Sequence, residues 1–164
     1  MATASKNLSK YNKELVPNGA DFKIGIVVSE WNESITFKLL EGAQKALEEN
    51  GVAKENIHIQ YVPGAFELAL GAQYFFKEQK IDGVIAIGVV IQGETKHFDY
   101  VCSGTTNGIM EVMLKYNKPV AFCVLTDDNI QQSIDRSGGI HGNKGTEAAI
   151  ACLKMIANKQ RFIK

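Results

Sequence analysis

The 164-residue chain predicts one layered α/β domain, a parallel sheet of four core strands with helices on both faces. Three observations carry this prediction. Short, β-branched apolar runs alternate along the whole chain with stretches whose apolar residues recur every three or four positions. Parallel strands need crossover helices, so such alternation is the pattern of a parallel sheet. The connections are short and marked by Pro, Gly, Asn or Asp, no repeat or linker interrupts them, and the length suits a single core.

Residues 1–20 are polar and mixed, with Pro17-Asn18-Gly19 as a turn signal. They read as an arm outside the main fold, disordered or laid on a partner, with the folded domain over 21–164. Phe22 to Val28 reads as a buried strand, followed by Ser29-Glu30-Trp31-Asn32. Ile35, Leu39, Ala43 and Leu47 recur every four residues, which predicts a helix over 34–49 stopped by Asn50-Gly51. Ile57 to Val62 is the second strand, ended by Pro63-Gly64. The next helix starts near Ala65-Phe66-Glu67 and runs to about Lys77, with Leu68, Ala72 and Phe75 or Phe76 inward.

Gly83 to Ile91 is the third strand. A helix from Phe98 to Tyr116 follows, with Val101, Ile109, Val112, Met113 and Tyr116 inward. Pro119 opens the fourth strand, Val120 to Leu125, and a short helix falls around 128–136. After the loop 137–143 a last helix, about 144–158, turns Ala148, Cys152, Met155 and Ile156 inward.

Apolar residues make up 45% and charged residues 22% of the chain, and Lys plus Arg equals Asp plus Glu at 18 each. No global field therefore draws in nucleic acid or an anionic membrane, and any anion site has to be local. No apolar run approaches the roughly 20 residues of a membrane span, and the N-terminus lacks the apolar core of a signal peptide. The expected location is cytoplasmic. Cys102, Cys123 and Cys152 lack C-x-x-C spacing and lie in apolar patterns, so they read as buried, reduced thiols.

Open parallel sheets bind ligands beyond the carboxyl ends of their strands. The unusual residues collect there: Trp31 and Asn32 after strand one, Ala65-Phe66-Glu67 after strand two, and Gly93-Glu94-Thr95-Lys96-His97 after strand three. A helix start exposes N–H groups and partial positive charge, so the Gly93-Glu94-Thr95 turn can cradle a phosphate. His97 beside it can move a proton near neutral pH. Taken alone, that segment favours a plainer account, in which Thr95 caps a helix and His97 is a surface histidine. Trp31 serves equally well as a lid over the sheet edge, Phe66 as core and Glu67 as a partner for the helix dipole.

Only two of the 18 basic residues are arginines, and Arg136 stands beside a glycine-rich loop, suited either to a phosphate contact or to a surface ion pair. Lys144 lies at a helix start, where a cation opposes the dipole. His58 and His141 read as structural or solvated. The chain has no metal-ligand spacing, no P-loop or dinucleotide fingerprint and no G-x-S-x-G elbow. What remains is proton-transfer chemistry on a small phosphorylated or aromatic molecule.

Ser29-Glu30-Trp31-Asn32-Glu33-Ser34-Ile35-Thr36, Pro63-Gly64-Ala65-Phe66-Glu67, Gly93-Glu94-Thr95-Lys96-His97-Phe98-Asp99-Tyr100-Val101 and Gly142-Asn143-Lys144-Gly145 together resemble the 6,7-dimethyl-8-ribityllumazine synthases, from about residue 22 to 158. The resemblance implies a flavodoxin-like fold. It also implies the condensation of 5-amino-6-(D-ribitylamino)uracil with 3,4-dihydroxy-2-butanone 4-phosphate, the penultimate step of riboflavin biosynthesis, without metal or organic cofactor. Trp31 and Asn32 would meet the pyrimidine, Ala65, Phe66 and Glu67 the ribityl chain and ring edge, and Val89, Val90 and Ile91 the pyrimidine through their backbone. Gly93, Glu94, Thr95 and Arg136 would bind the butanone phosphate, and His97 matches the proton-transfer residue. Phe122 and Lys144 resemble the aromatic and the cation that a neighbouring subunit adds. The resemblance further implies homo-oligomers, pentamers or twelve pentamers in an icosahedral shell, with riboflavin synthase as a candidate partner.

Two other readings compete. A flavin- or pterin-binding protein without catalysis would reuse the aromatic and ribityl contacts but has no need of Thr95, His97 and Arg136. A magnesium-dependent receiver domain would need clustered acids at the ends of strands one and three, where this chain has only Glu30 and Glu94.

Overall fold

Strands that are apolar on both faces decide how the layers assemble. In the computed structural model, which describes residues 7–163, β1 (Ile24–Ser29), β2 (Ile57–Val62), β3 (Gly83–Ile91) and β4 (Val120–Asp127) form one sheet in the order β2-β1-β3-β4. Every pairing in it is parallel. Ile26 and Val28 of β1, Ile85 and Ile87 of β3, and Cys123 and Leu125 of β4 point to one face, into a core shared with α1 (Glu33–Glu49) and α5 (Lys144–Ile163). Val27, Val84, Ala86, Val120 and Val124 point to the other, against α2 (Leu68–Glu78) and α3 (His97–Tyr116). Central strands buried on both faces give the unbroken apolar runs seen in the sequence. The expected fold class is the one observed.

The limits of β2 and β3 coincide with those expected, β1, α1 and α3 shift by one or two residues, and α5 runs past its expected end near 158 to Ile163. Four expectations need correction. Met155 does not point inward: it is 52% exposed, because the buried stripe of α5 runs through Ala148, Ala149, Cys152, Leu153 and Ile156 and leaves Met155 on its flank. Cys102 is only partly buried, whereas Cys123 and Cys152 are buried. The loop over 137–143 is not featureless. It follows α4 (Ile130–Arg136) and holds two short antiparallel strands, β5 (Ser137–Gly139) and β6 (Gly142–Asn143).

The N-terminal arm is the fourth. Residues 1–6 lie outside the described part, but from residue 7 the arm packs on its own chain. Leu8 N donates to His141 O at 2.7 Å, Asn143 N to Ser9 Oγ at 2.9 Å, and Gly19 N to Asn50 O at 2.8 Å. Tyr11 and Val16 pack against the α1/α5 core. Tyr11 and Val16 thus find partial burial at home, while Leu15 stays exposed. Among the described residues no helix is long and apolar enough to cross a membrane.

Candidate active site

A cavity of about 750 Å³ opens at the carboxyl ends of β1, β2 and β3, on the α2/α3 side of the sheet. It belongs to the size range of small-molecule sites. Each wall follows from a local feature of the sequence.

The first wall is the turn after β1. Glu30 N and Trp31 N donate to Val62 O and Pro63 O at 2.9 and 3.3 Å, which carries the β1–β2 pairing beyond the strand ends. Asn32 then adopts the left-handed conformation, φ 59° and ψ 47°, which Asn tolerates better than most residues. Its carbonyl accepts from Ile35 N and Thr36 N at 2.9 and 3.1 Å, so α1 starts at once and the indole is left 72% exposed in the cavity wall.

The second wall is the single 3-10 turn Ala65–Glu67. A Cβ on Gly64 ahead of it would lie 3.2 Å from Glu67 Oε2, a tight contact that the end of the flexible side chain can relieve, and 3.7 Å from Trp31 Cδ1, an ordinary contact. The Glu67 carboxylate and the Trp31 indole flank Gly64 and line the same space. The Phe66 ring lies against Gly104 of α3, and the buried Thr105 hydroxyl donates to Ala65 O at 3.2 Å.

The third wall is the end of β3 with the start of α3. Val89, Val90 and Ile91 form the floor, and His97, Tyr100 and Val101 project from consecutive positions on one face of α3. His97 is the first helical residue, and its N–H donates to Thr95 Oγ1 at 3.3 Å. The Thr95 hydroxyl thus closes a turn just ahead of the helix, whose N-cap is Lys96, and that turn leaves His97 exposed at the cavity.

Trp31, Asn32, Ala65, Phe66, Glu67, Val89, Val90, Ile91 and His97 are thus brought together, whereas Gly93, Glu94, Thr95, Phe122, Arg136 and Lys144 do not line the cavity. Gly93, Glu94 and Thr95 form the exposed turn that leads to His97. Arg136 ends α4, and its Nη1 donates to Gln132 O at 2.9 Å. Phe122 is partly exposed on β4, one of the two edge strands of the sheet. Lys144 pairs with Glu147 at 2.7 Å near Cys123, on the α1/α5 face. Burial pushes the Cys123 thiol up to about 12, with Lys144 pulling it down and Glu147 raising it. Gly64, Tyr100 and Val101 also line the cavity, although the sequence assigns none of them to the site and reads Val101 as core. Positions three and four beyond His97 on a helix were the signal for the last two.

Comparison with known proteins adds the decisive observation. The family model for 6,7-dimethyl-8-ribityllumazine synthase matches residues 21–160, most of the chain. The chain belongs to the 6,7-dimethyl-8-ribityllumazine synthase family. It is 57% identical to the 6,7-dimethyl-8-ribityllumazine synthase of Flavobacterium johnsoniae over 161 residues, 98% of this chain and 85% of that protein. It is 58% identical to the synthase of Christiangramia forsetii, covering 94% of this chain and 93% of that one. A more distant synthase, from Pediococcus pentosaceus, is 46% identical over 87% of this chain and 92% of its own. Membership of the lumazine synthase family makes the chain an enzyme of the condensing, transferase type.

Proposed function

We propose that the family's condensation of 5-amino-6-(D-ribitylamino)uracil with 3,4-dihydroxy-2-butanone 4-phosphate takes place in the cavity at the ends of β1, β2 and β3. One observation carries this reading: in a chain of this family, an exposed indole, a carboxylate and a histidine line one volume of about 750 Å³. Trp31 stacks on the pyrimidine, with Asn32 beside it. Ala65, Phe66 and Glu67 hold the ribityl chain and ring edge, and Val89, Val90 and Ile91 offer backbone contacts. Gly93, Glu94 and Thr95 bind the phosphate together with Arg136.

The chemistry suits these residues. Attack of the uracil amine on the ketone gives an imine and releases water. Phosphate loss then needs a proton taken from carbon and charge neutralised on the leaving group. His97 handles the proton, and the N–H groups of the helix start stabilise the departing anion. Holding both substrates in one cavity supplies much of the acceleration, since orientation can be worth about 7–11 kcal/mol.

Phe122, Arg136 and Lys144 act from a neighbouring copy. Their places on β4, α4 and the start of α5, outside the cavity of their own chain, support this reading. So do Tyr74, Met110 and Leu114, apolar side chains left exposed on α2 and α3. The assembly is a pentamer or twelve pentamers in a shell, with riboflavin synthase as its partner. Sedimentation of the protein alone and with that enzyme checks both points.

The experiment for the site is a rate measurement with both substrates and a chelator present, following the lumazine product by absorbance and fluorescence. Wild type should exceed the spontaneous rate many times over, and Trp31→Ala should raise KM for the ribityl substrate. An unchanged KM in both Trp31→Ala and Glu67→Gln would remove the cavity from the account.

A further inference from the structure

α4 spans only seven residues, too few for a helix to persist in water on its own. Its seating therefore depends on bonds to the rest of the chain. Asn129 Oδ1 accepts from Gln132 N at 3.1 Å, and Gln132 exchanges two bonds with Asp128: Oε1 accepts from Asp128 N at 2.9 Å, and Nε2 donates to Asp128 Oδ2 at 3.3 Å. These are exposed. A further bond is buried: Ser133 Oγ donates to Asp127 Oδ2 at 2.7 Å, with Ser133 0% and Asp127 5% exposed. A hydroxyl bonded to a carboxylate away from water makes a short, strong link.

Asp127 is also the last residue of β4, and its carbonyl accepts from Gln92 N at 2.9 Å. Gln92 leads directly into the Gly93–Thr95 turn. One residue is thus fastened to the end of β3 by its main chain and to α4 by its side chain. Arg136 follows Ser133 by three positions and ends the helix.

We propose that the Asp127–Ser133 bond is a positioning device for Arg136. It fixes the rotation of α4 on the end of β4 and so sets where the guanidinium stands in the phosphate subsite. The proposal rests on the reading of Arg136 as a phosphate contact. Asp127 and Ser133 touch no substrate and act only through Arg136. Guanidinium binds phosphate through paired, directional bonds, so it tolerates a rotated helix worse than a point charge does.

The test is steady-state kinetics with each substrate varied in turn, for Ser133→Ala, Asp127→Asn, Arg136→Gln and the pair Ser133→Ala with Arg136→Gln, together with their unfolding midpoints. Ser133→Ala should raise KM for the butanone phosphate about tenfold and KM for the ribityl substrate less than about twofold. Asp127→Asn keeps an acceptor but not the charge, and should give a smaller rise in the same direction. Once Arg136 is Gln, adding Ser133→Ala should change KM for the butanone phosphate less than about twofold. An unchanged KM in Ser133→Ala, or equal losses for both substrates that follow the unfolding midpoint, overturns the proposal. If Arg136→Gln itself leaves KM for the butanone phosphate unchanged, the reading of Arg136 falls, and the proposal with it.

Discussion

The Thr105 hydroxyl of α3 donates a 3.2 Å hydrogen bond to the carbonyl of Ala65, burying the link between two walls of the cavity. It joins the turn that carries Phe66 and Glu67 to the helix that begins with His97. The wall proposed to face the ribityl chain and the wall proposed to handle the proton are held as one unit.

Thr105→Val keeps the shape and deletes the donor. The Ala65 carbonyl keeps its bond from Leu68 N and loses only the one from the hydroxyl, so the variant should lose about 0.5–1.5 kcal/mol of stability. A denaturant midpoint with unchanged slope measures it. KM for the ribityl substrate should rise as the turn loosens.

Gly104→Ala should separate the site from stability. A Cβ at Gly104 would stand 2.5 Å from Phe66 Cε2, and the ring is 60% exposed, free to swing outward. The expected result is a several-fold rise in KM for the ribityl substrate with a stability change within about 1 kcal/mol. Thermal unfolding and substrate titration check the two parts.

His97→Ala should slow turnover without abolishing it, because the walls that position both substrates survive the mutation. A loss of about 10²–10⁴-fold in kcat is the ordinary scale for a proton-transfer residue. Single-turnover kinetics with binding measured separately would show whether positioning remains.

The thiols give a pH prediction. Burial pushes Cys123 and Cys152 from 9.0 to about 12, and burial followed by the Asp99 charge raises Cys102. A buried thiol keeps its proton in the folded state while the unfolded chain loses it, so stability falls as pH rises from about 9 towards 12. Cys152→Ala should unfold with a shallower pH dependence than wild type across that window. In native protein at neutral pH, a thiol reagent should label Cys102 slowly and the other two only on unfolding.

The sheet was legible because its central strands, β1 and β3, are buried on both faces, and because Pro, Gly and Asn mark the strand ends. β2 ends at Pro63-Gly64, and β3 is followed at once by Gln92-Gly93. The β5–β6 hairpin has too few residues for any period, and its turn depends on Gly138 and Gly142 at φ 123° and 84°. The arm and the Met155 flank turned on which nearby surface offers burial, which a local pattern does not encode. Strand ends announced Trp31, Glu67 and His97. The placing of Phe122, Arg136 and Lys144 outside the cavity depends on how β4 and α4 sit at the sheet edge, which residue order alone does not fix.

Subunit mixing tests the shared site most directly. His97→Ala spoils the cavity half and Arg136→Gln the β4-side half, so two weak variants unfolded together and reassembled in equal amounts should regain activity. About a quarter of the sites would then join two intact halves. Activity no higher than the average of the two variants alone would mean that each chain completes its own site, and the proposed sharing would be wrong.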